Sequence, residues 1–145
     1  MKPKFKKLKI KIYADGADLN YIKRLNKFNF IRGFTTNPSL IKQSGYKRYM
    51  DYARELLKIV KKKPVSLEIF SNNYEQMIED SLKLSKLAKN VYVKIPILNT
   101  DGKITIDLIN ELNAKGIKLN ITAIFTIEQV KKIIKNIKNP RDIIL

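Results

Sequence analysis

Short β-like runs and longer helical runs alternate without interruption along this chain, and that rhythm limits the folds open to it. The first run is LKIKIYAD, from Leu8 to Asp15, followed by a helical pattern around Leu19, Ile22 and Leu25. IRGFTTNP, from Ile31 to Pro38, comes next. A helix is then predicted from about Tyr46 to Lys62 on the apolar stripe Ala53, Leu56, Leu57 and Val60. PVSLEIF, from Pro64 to Phe70, reads as a third strand, with a helix from about Asn72 to Lys89 through Met77, Ile78, Leu84 and Leu87. VYVKIPI, from Val91 to Ile97, is the fourth strand. The helix after it uses Ile104, Leu108 and Leu112 and ends near Gly116, a residue suited to a left-handed cap. KLNITAIF, from Lys118 to Phe125, is the fifth strand. Thr126 with Gln129 then makes a capping-box pattern, opening a helix that runs to about Asn139 and stops at Pro140.

Strict alternation means a parallel sheet with helices packed outside it. The repeat of about 25 to 30 residues is close to one eighth of the roughly 250 residues of a TIM-type (β/α)8 barrel. The closing RDIIL starts like a sixth strand. The expected fold is therefore α/β, an incomplete TIM-type barrel of about five βα units plus the start of a sixth strand. It forms one domain over residues 1–145, with no linker and no low-complexity block. A barrel of this kind closes with eight strands. The chain is accordingly read as truncated, with open sheet edges that favour self-association or pairing with a complementing fragment.

Composition removes several kinds of chemistry. Cysteine is absent, which excludes disulfides and thiol catalysis, and histidine is absent, which removes the commonest general base and zinc ligand. Acid–base work falls to Asp, Glu, Lys, Tyr, Thr or water. No metal site is expected. No run of about 18 apolar residues is present, so no membrane span is expected. The basic N-terminal stretch alternates lysine with apolar residues and lacks the continuous apolar region of a secretory signal. The net charge of +17 comes from 30 Lys+Arg against 13 Asp+Glu. Because it is nearly all lysine spread over helices, compositional drift is favoured over specific nucleic-acid recognition, for which arginine is the better tool.

Polar residues fall in register on the strands. Residues two apart share a strand face, so Tyr92, Lys94 and Pro96 oppose Val91, Val93 and Ile95. Asn120 and Thr122 oppose Leu119, Ile121 and Ala123, while Ser66, Glu68 and Phe70 oppose Val65, Leu67 and Ile69. Lys11, Tyr13 and Asp15 oppose Ile10, Ile12 and Ala14, and the second strand ends in Thr35, Thr36, Asn37 and Pro38. Taken singly, each has an ordinary explanation: a cap, a turn, an edge residue or a snorkelling lysine. Together, five strands in succession carry a polar group in their second half, where parallel β/α folds place their sites. Burying such groups is costly unless they pair.

These segments resemble the transaldolase family, especially its small microbial branch with fructose-6-phosphate aldolase-like enzymes. IYADGAD, GFTTNPSL, VYVKIPI and LNITAIF are each similar to a family segment, in the family's order, over Lys9 to about Asn139. The resemblance implies a TIM barrel and class I aldolase chemistry without a cofactor. Lys94 is implied as the Schiff-base lysine and Asp15 as the acid–base residue at the C4 hydroxyl. Glu68 and Thr122 are implied to hold a proton-shuttling water. Asn37 and Asn120, with Thr35 and Thr36, are implied to bind substrate. The apolar neighbours Val93 and Ile95 disfavour the ammonium form of Lys94, so Glu68 is expected at water distance rather than in direct contact.

The implied reaction moves a dihydroxyacetone unit from a ketose phosphate to an aldose phosphate, in the cytoplasmic pentose phosphate pathway. Glu68 is the transaldolase-like choice, since the aldolase branch tends to carry Gln there. The family's phosphate-binding Arg and Ser cluster lies on later strands, and Arg141 comes too early to belong to it. The alternatives are fructose-6-phosphate aldolase-type cleavage, another Schiff-base aldolase on the same fold, an inactive barrel fragment, and a basic noncatalytic binding module.

Overall fold

The computed structural model describes residues 9–145; Leu8, the expected start of the first strand, lies outside them. The elements alternate as β1 (Ile12–Asp15), α1 (Leu19–Leu25), β2 (Ile31–Thr35), α2 (Pro38–Gln43), α3 (Tyr49–Ile59), β3 (Val65–Glu68), α4 (Tyr74–Ser85), β4 (Val91–Pro96), α5 (Ile106–Ala114), β5 (Leu119–Thr122), α6 (Ile127–Asn136) and β6 (Ile143–Ile144). Parallel strands follow one another in chain order, β1 to β6. That is the strand order of a TIM-type barrel, and the described residues form six strands where a closed barrel has eight. The fold class is the incomplete one expected. Two compact units are present, one ending at Ser66 and the other beginning at Leu67, so that β3 is divided between them.

In the first unit β1 pairs with β2, matching Tyr13 to Gly33, Ala14 to Phe34 and Asp15 to Thr35, with an irregularity between Ile12 and Tyr13. Gly33 is required at this crossing. A Cβ there would collide with the Tyr13 ring and lie 2.9 Å from the Pro64 carbonyl oxygen. Phe34 then pairs with Val65 and Thr35 with Ser66. Ile22, Phe34, Ile41, Tyr52, Ala53, Leu56 and Val60 form the core beneath the helices.

Two expectations fail in this unit. Strand β1 starts at Ile12, and Ile10 is 69% exposed, so the expected strand is too long at its start. Strand β2 ends at Thr35 and does not run on to Pro38. Asn37 Oδ1 accepts from the Leu40 N–H at 2.9 Å and Pro38 takes the first helical position, so a short helix, α2, begins there. Proline costs nothing at that position, because its missing N–H would have no helical partner.

In the second unit β4 pairs with β5 and β5 with β6, matching Lys94 to Asn120, Pro96 to Thr122 and Leu119 to Ile143. Val91, Val93, Ile95, Leu119 and Ile121 are buried on one face, with Met77, Leu84, Leu108, Ile109 and Leu112 contributed by the helices. Gly116, at φ +78°, caps α5 as expected, its N–H bonded to the Asn113 carbonyl. The Thr126–Gln129 capping box is also present.

Helix α6 ends at Asn136, earlier than Pro140 alone requires. The Asn110 amide explains the difference: it donates to the Asn136 carbonyl at 3.0 Å and accepts from the Lys138 N–H at 3.0 Å. Strand β5 stops at Thr122, because Ala123 turns to φ +57°. Among the described residues no helix is long and apolar enough to cross a membrane.

Candidate active site

The second unit carries the most chemically suggestive contact. Val93, Ile95 and Ile97 are locked in the core, so alternation turns Lys94 to the opposite face of β4. Its backbone carbonyl accepts from the Ile69 N–H at 3.3 Å, which ties β4 to the end of β3. Glu68, one residue earlier on β3, meets it: Lys94 Nζ donates to Glu68 Oε2 at 3.1 Å. The side chains are 16% and 23% exposed, so this is a largely sheltered ion pair. Direct contact corrects the expectation of a water-sized gap between them. Strand periodicity sets which face a side chain takes, but not how far a flexible lysine reaches. An uncompensated charge at this depth would be costly, and the pairing offsets that cost.

Asn120 lies beside Lys94 in strand register and is buried. Thr122 lies beside Pro96, two residues further along the same face of β5, and is half-buried. Four of the sequence-flagged residues, Glu68, Lys94, Asn120 and Thr122, therefore occupy one strand face at the C-terminal ends of three neighbouring strands.

Beyond those ends, a hydrogen-bonded frame that the sequence reading passed over joins the loops after β3 and β4. Asn72 Nδ2 donates to Asp101 Oδ2 at 3.1 Å, and Asn72 Oδ1 accepts from the Thr100 N–H at 2.8 Å. Asn99 Oδ1 accepts from the N–H groups of Asp101 and Lys103, at 3.0 and 2.8 Å. Thr105 Oγ1 donates to the Pro96 carbonyl at 2.6 Å. Such a frame restrains the loops that follow the lysine strand. Its signal was the turn-forming composition of SNN and LNTDGK.

The first unit holds the other four flagged residues, and they are engaged locally. Thr35 Oγ1 donates to Asp15 Oδ1 at 2.7 Å, joining the ends of β1 and β2, and Asp15 is exposed. Asn37 caps α2 with its side-chain oxygen. Thr36 is fully buried and its hydroxyl is directed at the Ser66 carbonyl, 3.4 Å away, so it is turned into the core rather than offered to a ligand.

The transaldolase/fructose-6-phosphate aldolase family model matches residues 12–144. The chain belongs to that family. Proteins named probable transaldolase are similar to most of the chain. One from a Sulfurihydrogenibium species is 40% identical over 117 residues, covering 81% of this chain and 51% of that protein. Others from Methanococcus vannielii and Clostridioides difficile are each 38% identical over 120 residues, covering 83% of this chain and 53% of theirs. The chain thus spans about half the length of the curated relatives it matches. Membership of the transaldolase/fructose-6-phosphate aldolase family agrees with the sequential parallel strand order and with the resemblance read from the four segments.

Proposed function

We propose that this chain carries the imine-forming part of a transaldolase-type site, with Lys94 as the nucleophile. The supporting observation is the Lys94–Glu68 pair, sheltered on the strand face that also carries Asn120 and Thr122. Lysine attacks a carbonyl only as the free amine, and in this structure its nearest proton acceptor is Glu68 at 3.1 Å. Glu68 takes that proton, and the amine adds to the keto carbon of a ketose phosphate. The carbinolamine loses water, assisted by Glu68 as acid and by the Thr122 hydroxyl, leaving an iminium.

A base then removes the proton from the C4 hydroxyl, the role that the family resemblance implies for Asp15. The C3–C4 bond breaks, its electron pair flows into the iminium as an enamine, and an aldose phosphate departs. Asn120, beside Lys94 in strand register, holds the enamine and substrate hydroxyls. Attack of the enamine on a second aldose phosphate, then hydrolysis of the imine, completes dihydroxyacetone transfer and frees Lys94. This is a reaction of the cytoplasmic pentose phosphate pathway, and its electron sink is the iminium.

The test is product analysis by mass spectrometry after incubation with fructose 6-phosphate and an excess of an aldose phosphate. The expected product is the ketose phosphate formed by transfer. Free dihydroxyacetone formed equally well without the acceptor would replace transfer by aldol cleavage. Transfer that persists in Lys94→Met would sink the assignment of Lys94.

A further inference from the structure

The opposite end of the same strands carries a second feature that imine chemistry does not use. In the second unit, each helix-to-strand turn bears two cations three residues apart: Lys86 and Lys89 before β4, Lys115 and Lys118 before β5, and Lys138 and Arg141 before β6. Lys86 and Lys115 are the C-caps of α4 and α5, where a cation complements the negative end of the helix dipole. Lys89 and Lys118 lie beyond the helices and exceed that need.

The first two pairs border one groove of about 500 Å³, with Leu82, Ala88, Val91 and Ile117 as its apolar wall and no carboxylate in its lining. Lys115 is shared with Glu111 at 3.5 Å, and Lys118 Nζ stands 5.7 Å from the centre of the Tyr92 ring. Among the described residues, Lys86 and Lys89 have no carboxylate within ion-pair distance, and both are exposed.

We propose that this groove is an anion site for a small ligand bearing several linked phosphates, of the inorganic polyphosphate or nucleoside triphosphate class. Four lysines bordering a cleft of this size, two of them with no carboxylate partner, suit a compact multiple anion, since lysine acts as a point charge toward phosphate. The groove is too small to hold a duplex, and its lining contains no aromatic ring for stacking bases.

The experiment follows tripolyphosphate binding to the full chain by amide NMR shifts and calorimetry, at about 50 mM salt, where screening is modest. Shifts are expected to cluster on residues 82–91 and 115–118. The exposed double variant Lys86→Gln/Lys89→Gln should lose about tenfold in affinity. The control Lys58→Gln/Lys61→Gln, on the first unit and equal in charge removed, should change less than about twofold. A nucleoside triphosphate that binds no better than tripolyphosphate would assign recognition to the phosphates; one that binds far better with unchanged groove dependence would assign the nucleotide. Equal losses in the two double variants would overturn the site, as would shifts scattered over all lysine-bearing surfaces. So would binding of a single-stranded oligonucleotide without any tripolyphosphate binding.

Discussion

The two units use the same kind of residue in opposite ways. Both place polar side chains at the ends of their strands. In the first, Asn37 closes the start of α2, Thr36 is buried against the Ser66 carbonyl, and Thr35 is bonded to Asp15. In the second, Lys94 and Glu68 form an ion pair that no local backbone group requires, with buried Asn120 alongside. A polar strand end is therefore not by itself a mark of chemistry. What separates the cases is whether a neighbouring backbone group consumes the side chain. A cap or a carbonyl contact accounts for Asn37 and Thr36, and nothing comparable accounts for a lysine held 16% exposed against a glutamate.

The contrast can be broken or sharpened by substitution, and the largest effect is expected at Glu68. Glu68→Gln removes the nearest proton acceptor, so imine formation near neutral pH should slow by about ten- to a hundredfold. Rapid-quench borohydride kinetics would measure it, and an unchanged rate would reclassify the pair as structural. The same substitution leaves Lys94 without its counter-charge and should cost about 1–3 kcal/mol in urea unfolding. In the first unit, Gly33→Ala should cost a similar amount, about 1–3 kcal/mol, because the new Cβ collides with the Tyr13 ring and the Pro64 carbonyl.

Smaller still is Asn37→Ala, which removes a helix cap and should cost about 1 kcal/mol. If it abolished imine chemistry at unchanged stability, Asn37 would move to the chemical side of the comparison.

The smallest effect concerns Tyr52, fully buried, whose hydroxyl makes no hydrogen bond among the described residues. Tyr52→Phe should change stability by less than about 0.5 kcal/mol at neutral pH, since no bond is lost. Burial, with neighbouring Tyr46, Asp18 and Asp15, holds this hydroxyl far above the usual tyrosine range. The folded chain thus keeps a proton that the unfolded chain releases near pH 10, and stability falls as pH rises above that point. Tyr52→Phe should flatten that alkaline decline in thermal unfolding followed against pH.

Much of this was legible in the sequence because periodicity decides faces. Alternation in VYVKIP placed Val93 and Ile95 inward and Lys94 on the other side, as the burial pattern of β4 shows. Gly116 and the Thr126–Gln129 pair marked their helix ends correctly, since each satisfies backbone groups close in sequence. What escaped depends on contacts between distant segments or on side-chain reach. Helix α6 is ended by Asn110, 26 residues before Asn136. The direct Lys94–Glu68 contact bridges 26 residues through a flexible side chain. Helix α2 had its signal in Asn37–Pro38, a cap followed by an N1 proline, but at six residues it was too short for an apolar period to show.

The most direct measurement is borohydride trapping of the full chain with dihydroxyacetone, read by intact mass and peptide mapping, beside Lys94→Met checked for fold by circular dichroism. The expected result is one adduct, on Lys94, and none in folded Lys94→Met. Adducts spread over the exposed lysines, or an adduct that persists without Lys94, or none at all on the folded chain, would contradict the assignment of Lys94 as nucleophile.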